Sequence, residues 1–152
     1  MDKEFIKQGL ALMKKADTAY LTTIDNNGYP STRGMLNLKN SKQFPKLVDF
    51  MSQFDNDLTL FFTTNTSSTK VSQIMNNAKV SVYYCDSKSW HGFMCQGEIE
   101  IVNDKAIKDA IWLDDWKMYY PDGKDSEDYA ILKLKPSYVK SYFQFQQADL
   151  AI

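Results

Sequence analysis

The sequence has little of the chemistry on which most self-sufficient enzyme sites depend. It contains one histidine, His91, and two cysteines, Cys85 and Cys95. A single histidine without an evident partner does not supply a catalytic triad, and the GxSxG, HExxH and GxxxxGK[ST] motifs are all missing. The histidine and cysteines also lack the CxxC or HxxxH spacing of a metal site. We therefore expect no catalytic constellation of side chains and no bound metal.

The chain also lacks a long apolar run and a strong net charge. No apolar run approaches the roughly 20 residues that a membrane span requires. The formal net charge is −1, which argues against a general nucleic-acid or membrane-surface binder. The charged start, Met1 to Glu4, is unlike a signal peptide. We expect a cytoplasmic protein that binds neither nucleic acid nor membrane.

What the chain does have is apolar and aromatic bulk. Hydrophobic residues make up 43% of the sequence and aromatic residues 14%, which excludes a disordered chain. A chain of 152 residues buries a core without disulfides, so we expect a single domain over residues 1–152. Cys85 and Cys95 both lie in strand-like runs. A disulfide is compatible with that placement, but we expect two buried free thiols in a reducing compartment.

Residue periodicity predicts an α+β fold. Helical spacing of apolar residues indicates helices over 3–15, around 47–54, over 68–76 and after Asp104. Alternation and β-branched content indicate about six to seven strands, over 19–24, from 29 onward, and over 58–62, 79–85, 93–102, 129–134 and 138–145. Short turns join most of the strands and helices interrupt them irregularly. This pattern favours a mostly antiparallel, barrel-like sheet with flanking helices.

The most concentrated functional signal follows the strand over 58–62. Six of the seven residues from Thr63 to Thr69 carry hydroxyls, and Lys70 stands where the next helix begins. Hydroxyls, the backbone N–H groups of a helix N-terminus and an ammonium together form a phosphate receptor. A structural helix cap explains the hydroxyls equally well. A lysine in the first turn opposes the helix dipole, so an anionic ligand is the better explanation of Lys70.

Arg33 is a second candidate cation, although an arginine on a strand more often belongs to a solvated face. It stands beside Gly34, which permits close approach of a ligand to the backbone. Because the chain lacks catalytic groups of its own, an enzyme with this sequence needs a cofactor to carry the chemistry.

Taken in order along nearly the whole chain, these pieces resemble the pyridoxamine 5′-phosphate oxidase-like superfamily, and within it the small flavoproteins of the general stress protein 26 type. The resemblance rests on an opening hairpin, a flavin-contacting strand, a strand–loop–helix phosphate site and the later strands, over 19–30, 33–35, 60–71, 80–84, 97–101, 112–123 and 129–136. It implies a split β-barrel homodimer that binds FMN at the subunit interface.

The resemblance also implies roles for individual residues. Ser68 and Lys70, with Ser67 and Thr69, would hold the FMN phosphate, and Arg33 would add a second charge there or near the ribityl chain. Four further positions would lie along the ribityl chain and the edge of the isoalloxazine ring: Gly34, Met35, Thr63 and Thr64.

The sequence departs from the family pattern at two places. Thr69 stands where oxidases of the family often have an arginine, and a lost charge-assisted hydrogen bond of about 1.5–3 kcal/mol predicts weaker phosphate binding. Tyr142-Phe143 replaces a frequent Tyr-Trp pair. The Arg/His cluster that binds substrate in the vitamin B6 oxidases is not visible at the C-terminus, so we do not expect pyridoxamine phosphate oxidation.

Several functions remain open at this point. The leading hypothesis is an FMN-dependent oxidoreductase that acts on an unknown small molecule. The alternatives are a non-catalytic flavin-binding or stress-response protein, a deazaflavin-using reductase on the same fold, and a haem-binding split barrel. The last needs an axial histidine, for which His91, expected in a turn, is a poor candidate.

Overall fold

The structure, a computed structural model, describes residues 3–152; Met1 and Asp2, where the charged N-terminal segment begins, lie outside the described residues. Within that range the chain forms a curled antiparallel sheet and four α-helices, the architecture of a split β-barrel, which confirms the predicted α+β fold. The strands are β1 Thr18–Ile24, β2 Pro30–Leu36, β3 Leu60–Asn65, β4 Lys79–Asp86, β5 His91–Val102, β6 Tyr129–Leu134, β7 Tyr138–Phe143 and β8 Gln146–Ala151. The helices are α1 Lys3–Lys15, α2 Val48–Ser52, α3 Thr69–Asn76 and α4 Lys105–Ile111. None of these helices is long and apolar enough to cross a membrane.

The long strand β5 joins the two halves of the sheet. The strand order is β2-β1-β4-β5-β6-β3, and β7 pairs with β5 and β8. Residues 91–98 of β5 pair with β4, whereas residues 99–102 pair with β6. Because one strand serves both neighbours in succession, the sheet curls and brings β3 toward the β1–β2 hairpin.

Helix α1 packs directly on β5 through a glycine. An added Cβ at Gly9 would overlap the ring of Phe93, so any larger residue would push the helix away from the sheet. Phe5 and Met13 on the same helix face are buried. The amide of Asn37 donates hydrogen bonds to the carbonyl oxygens of Met13 and Ala16, at 2.7 and 2.8 Å. These bonds satisfy acceptors that the helix end leaves open and fix the start of β1.

The sheet contains one strand more than the six to seven that the sequence predicts. The predicted strand over 138–145 ends at Phe143 because Gln144 and Phe145 adopt left-handed φ angles of 51° and 63°. They form a two-residue hairpin turn, and β8 returns along β7 with Phe143 opposite Gln146. The missed strand is therefore the second arm of a hairpin whose turn contains no glycine or asparagine.

Two further expectations need correction. Cys95 and Cys85 are both free thiols, but only Cys95 is buried; Cys85 is exposed because β4 alternates and Cys85 shares the outward face with Tyr83. The strand predicted over 58–62 instead spans residues 60–65 and continues into the hydroxyl-rich run, since β3 pairs with β6 as far as Asn65 opposite Tyr129. The connecting loop is only residues 66–68.

Candidate functional site

A cleft of about 430 Å³ opens between the β1–β2 hairpin and the junction of β3 with α3. Five of the nine predicted site residues line it: Gly34, Met35, Thr63, Thr64 and Lys70. The other lining residues are Asp17, Thr18, Leu36, Asn65, Tyr119 and Tyr120. The curl of the sheet therefore brings together positions that are about 30 residues apart on β2 and β3.

Lys70 lines this cleft from the second position of α3. Its ammonium is half-buried and donates to Oγ1 of Thr64 over 3.3 Å. The hydroxyl of Ser68 lies 3.3 Å from the same Thr64 oxygen, and Ser68 makes no side-chain cap to the helix. Burial, and then the positive charge of Arg33, lower the pKa of Lys70. An ammonium and two hydroxyls thus converge where α3 begins.

Arg33 is the sole arginine in the sequence, and its side chain is directed to β1 and α3 rather than to the cleft lining. Burial lowers its pKa. Its two terminal nitrogens donate four hydrogen bonds, all to uncharged oxygens: Leu21 O at 3.2 Å, Thr23 Oγ1 at 2.7 Å, Ser31 Oγ at 3.3 Å and Gln73 Oε1 at 3.1 Å. With four of the five guanidinium donors engaged, Arg33 contributes positive charge to the site more than it contributes donors.

Within residues 3–152 the two cations of the site have no carboxylate counterion. Across residues 3–152, every ion pair involves another lysine, and none reaches Lys70 or Arg33. Two partly buried positive charges that repel each other are unfavourable in an empty site. A bound anion would remove that cost, and a doubly charged one would remove it more completely.

The rest of the hydroxyl-rich run faces a carboxylate of the chain itself. Oδ1 of Asp128 accepts hydrogen bonds from Oγ1 of Thr66 and from the backbone N–H of Ser67, both at 3.0 Å. These donors and Asn65 hold the pKa of Asp128 at about 2. Thr69 is exposed at the first position of α3. The backbone of Ser67 is therefore engaged internally, and the phosphate roles of Ser67 and Thr69 stay predictions.

Sequence reasoning did not assign Tyr119, Tyr120 or Asp128 to the site. Tyr120 is buried and Tyr119 is half exposed, and both line the cleft. The neighbouring tyrosines before the Pro121 turn were a visible signal in the sequence. The contact of Asp128 with a loop 61 residues earlier had no signal in periodicity or spacing.

His91 lies in a different part of the molecule. It is the first residue of β5, not a turn residue as the sequence predicts, and it stacks on Phe143 with ring centroids 4.4 Å apart. Burial lowers its pKa, and Asp86 partly opposes that shift. Its Nε2 atom has no hydrogen-bond partner. His91 does not line the cleft that contains Lys70, so it contributes nothing to chemistry there.

Comparisons with known proteins agree with the fold. The family model described as "Pyridoxamine 5′-phosphate oxidase like" matches residues 6–147. General stress protein 26 of Bacillus subtilis (strain 168) is 28% identical over 94 residues, which are 60% of this chain and 66% of that protein, just under two thirds of its length.

Solved structures of related proteins have a similar fold. A Clostridium acetobutylicum protein related to general stress protein 26, of the pyridoxinephosphate oxidase family, is similar with a TM-score of 0.79 and 28% identity, over 100% of this chain and 97% of that one. A pyridoxamine 5′-phosphate oxidase-related, FMN binding protein from Nostoc punctiforme is similar with a TM-score of 0.59 and 16% identity, over 99% and 96% of the two chains. At that identity the second similarity concerns the fold alone.

Proposed function

Because this chain belongs to the pyridoxamine 5′-phosphate oxidase-like family, we propose that it binds FMN in the cleft between the β1–β2 hairpin and α3. The observation that carries the proposal is the pair of positive charges at Lys70 and Arg33, which lack a carboxylate partner within residues 3–152. The phosphate of FMN is a dianion at neutral pH and matches that charge. The structural relative from Nostoc punctiforme is itself an FMN binding protein.

The residues around the cation pair suit a phosphate monoester. Lys70 donates from its ammonium, Thr64 and Ser68 donate from hydroxyls, and the first turn of α3 adds backbone N–H groups that have no partner within a helix. Arg33 strengthens the site as a nearby fixed charge. The part of the cleft that Gly34, Met35 and Leu36 line then takes the ribityl chain and the flavin ring along β2, where Gly34 has no side chain.

The proposed activity is that of an FMN-dependent oxidoreductase that acts on a small molecule. When bound, the flavin supplies the redox chemistry. The chain supplies binding, orientation and the charge that holds the phosphate, and no histidine or cysteine lines the cleft in the part of the chain that the structure describes. A non-catalytic flavin-binding or stress-response role, and a deazaflavin cofactor in the same cleft, are the alternatives that the experiments below separate.

We further propose that the protein is a cytoplasmic homodimer with the cofactor at the subunit interface. The outward face of the sheet carries Tyr20 opposite Tyr83 on neighbouring strands, with 40% and 45% of their surface exposed. Tyr20 also lies opposite Gly34, which lines the cleft. Exposed aromatic residues of this kind are typical of subunit contacts, and this face continues directly into the proposed cofactor site.

The test is a titration of the purified protein with FMN and with riboflavin, followed by flavin absorbance and fluorescence. Lys70→Met is expected to weaken FMN binding about 10- to 100-fold, as loss of a charge-assisted bond predicts, and to change riboflavin binding little. Lys42→Met removes an exposed lysine outside the cleft and serves as the control. Equal losses for both flavins, or no FMN binding by the wild type, would contradict the proposal.

Reduction of the bound flavin distinguishes an oxidoreductase from a non-catalytic flavin-binding protein. An oxidoreductase should accept electrons from NADH or NADPH and pass them to some member of a panel of small-molecule acceptors. Reduction without turnover across a broad panel would favour the binding role. Titration with a deazaflavin in place of FMN tests the deazaflavin alternative.

A further inference from the structure

We propose that Asp128 is a positioning residue for the anion site, which holds the turn after β3 so that Thr64, Ser68 and Lys70 face the ligand. This inference rests on the proposed function, because it concerns how that site keeps its shape. It gives a role to a carboxylate that lies beside a site for a dianion, where simple electrostatics would disfavour it.

Three groups of Asp128 contact three consecutive residues: Asn65 at the end of β3, and Thr66 and Ser67 in the loop that follows. Its Oδ2 accepts from the amide of Asn65 at 2.6 Å, and its Oδ1 accepts from Thr66 and from the N–H of Ser67. Its own carbonyl oxygen accepts from the N–H of Thr66 at 2.9 Å. The four hydrogen bonds that Asp128 accepts define the path of the chain between the end of β3 and the start of α3.

The hydroxyl-rich run therefore serves two anions. Thr66 and Ser67 turn to the internal carboxylate, whereas Thr64 and Ser68 stay within 3.3 Å of each other beside Lys70. Because the carboxylate is ionised near neutral pH, Thr66 and the N–H of Ser67 have an anionic acceptor within the chain. Thr64 and Ser68 are left for a ligand.

The same contact also reaches the aromatic wall of the cleft. The amide of Asn65 that donates to Asp128 lies 3.4 Å from the carbonyl oxygen of Tyr119. Tyr119 and Asp128 are the two ends of the segment that connects α4 and its following turn to β6. Asp128 thus ties this segment, with its tyrosines, to the loop that presents Lys70.

Charge and positioning predict opposite effects of one substitution. Asp128→Asn removes a negative charge near the proposed phosphate, so electrostatics alone predicts tighter FMN binding. It also weakens the acceptor on which Thr66 and Ser67 depend, so a positioning role predicts weaker FMN binding. The sign of the change in FMN affinity decides between them.

The experiment compares FMN and riboflavin binding by the wild type, Asp128→Asn and the control Asp122→Asn, at one ionic strength, together with thermal unfolding without ligand. Asp122 is an exposed acid of the same segment that does not line the cleft. We expect Asp128→Asn to lower the FMN affinity relative to riboflavin by about tenfold, and Asp122→Asn to leave it unchanged. Thr66→Val, at an exposed position, is expected to lower the FMN affinity relative to riboflavin by a smaller factor. This variant tests the positioning role if Asp128→Asn does not fold.

Three outcomes overturn the inference. Asp128→Asn could bind FMN as tightly as the wild type or more tightly, or it could lose FMN and riboflavin equally while its melting temperature falls, which is the behaviour of a residue that only stabilises the fold. An unchanged ratio in Thr66→Val together with an unfolded Asp128→Asn also contradicts it. A wild type that binds no FMN overturns the proposed function itself, and the wild-type titration alone reveals that.

Discussion

Lys70 and Arg33 approach each other from α3 and β2, and the charge of Arg33 adds to burial in lowering the pKa of Lys70. Each residue would be unremarkable alone. Together they make a site in which one cation is fixed by four hydrogen bonds and the other keeps donors for a ligand. Because the two side chains differ in this way, the predictions for Lys70 and Arg33 differ.

The FMN affinity should fall as the pH rises through the pKa of unliganded Lys70. The neutral amine is a poorer partner for a phosphate, and the lowered pKa means that the fall begins below the ordinary lysine value of about 10.4. Fluorescence titrations from about pH 7.5 to 9.5 would measure it. Lys70→Arg, which stays protonated, should give a flat profile, and a wild-type profile as flat as that of Lys70→Arg would refute the role of Lys70.

Arg33→Lys should cost stability while it preserves charge. A lysine cannot replace four divergent donors, so acceptors such as Leu21 O lose their partner and the free energy of unfolding falls by about 1–3 kcal/mol. Urea unfolding measures the loss. Arg33→Met should unfold about as easily but should also bind FMN more weakly than Arg33→Lys. If the two variants bind FMN equally, the charge of Arg33 has no role in the site.

Gly9→Ala should destabilise the protein, contrary to the usual effect of this change in a helix. Alanine is about 1 kcal/mol better than glycine within an exposed helix, but here its Cβ would overlap the ring of Phe93. Overpacking of this kind costs about 1–3 kcal/mol. Chemical unfolding would show the loss, and Lys7→Ala, at an exposed position of the same helix, should be neutral. A stabilised Gly9→Ala would mean that α1 does not lie this close to β5.

Replacing Gln144-Phe145 by Asn-Gly should stabilise the β7–β8 hairpin. Both residues have left-handed φ angles, which cost a typical residue about 1–2 kcal/mol, and Asn-Gly is the preferred pair for such turns. Phe145 is 94% exposed, so little packing is lost. We expect the melting temperature, measured by calorimetry, to rise by about 2–4 °C per kcal/mol gained. An unchanged melting temperature would mean that the left-handed φ angles of Gln144 and Phe145 do not cost the protein stability.

Local sequence patterns predict the helices and strands that have one buried face. The apolar spacing of α1 and the alternation of β5 correctly gave their positions, because one face of each must be buried. Strand β8 was missed because its turn lacks the usual residues. The predicted phosphate loop was too long because pairing with β6 extends β3 to Asn65. The cleft lining at Tyr119 and the contact of Asp128 depend on chain segments that only the folded topology brings together.

The dependence of β3 on β6 has a consequence for synthesis of the chain. Lys70 leaves the ribosome well before Asp128, which follows Ser67 by 61 positions, and that interval takes about 3–12 s to translate at typical rates. During that time β3 has no strand to pair with, and the turn before α3 has no carboxylate to hold it. We therefore expect nascent or truncated chains that stop before Asp128 to carry both cations of the site and still bind no flavin. Cofactor uptake would then mark the chains whose synthesis has passed Asp128 and β6.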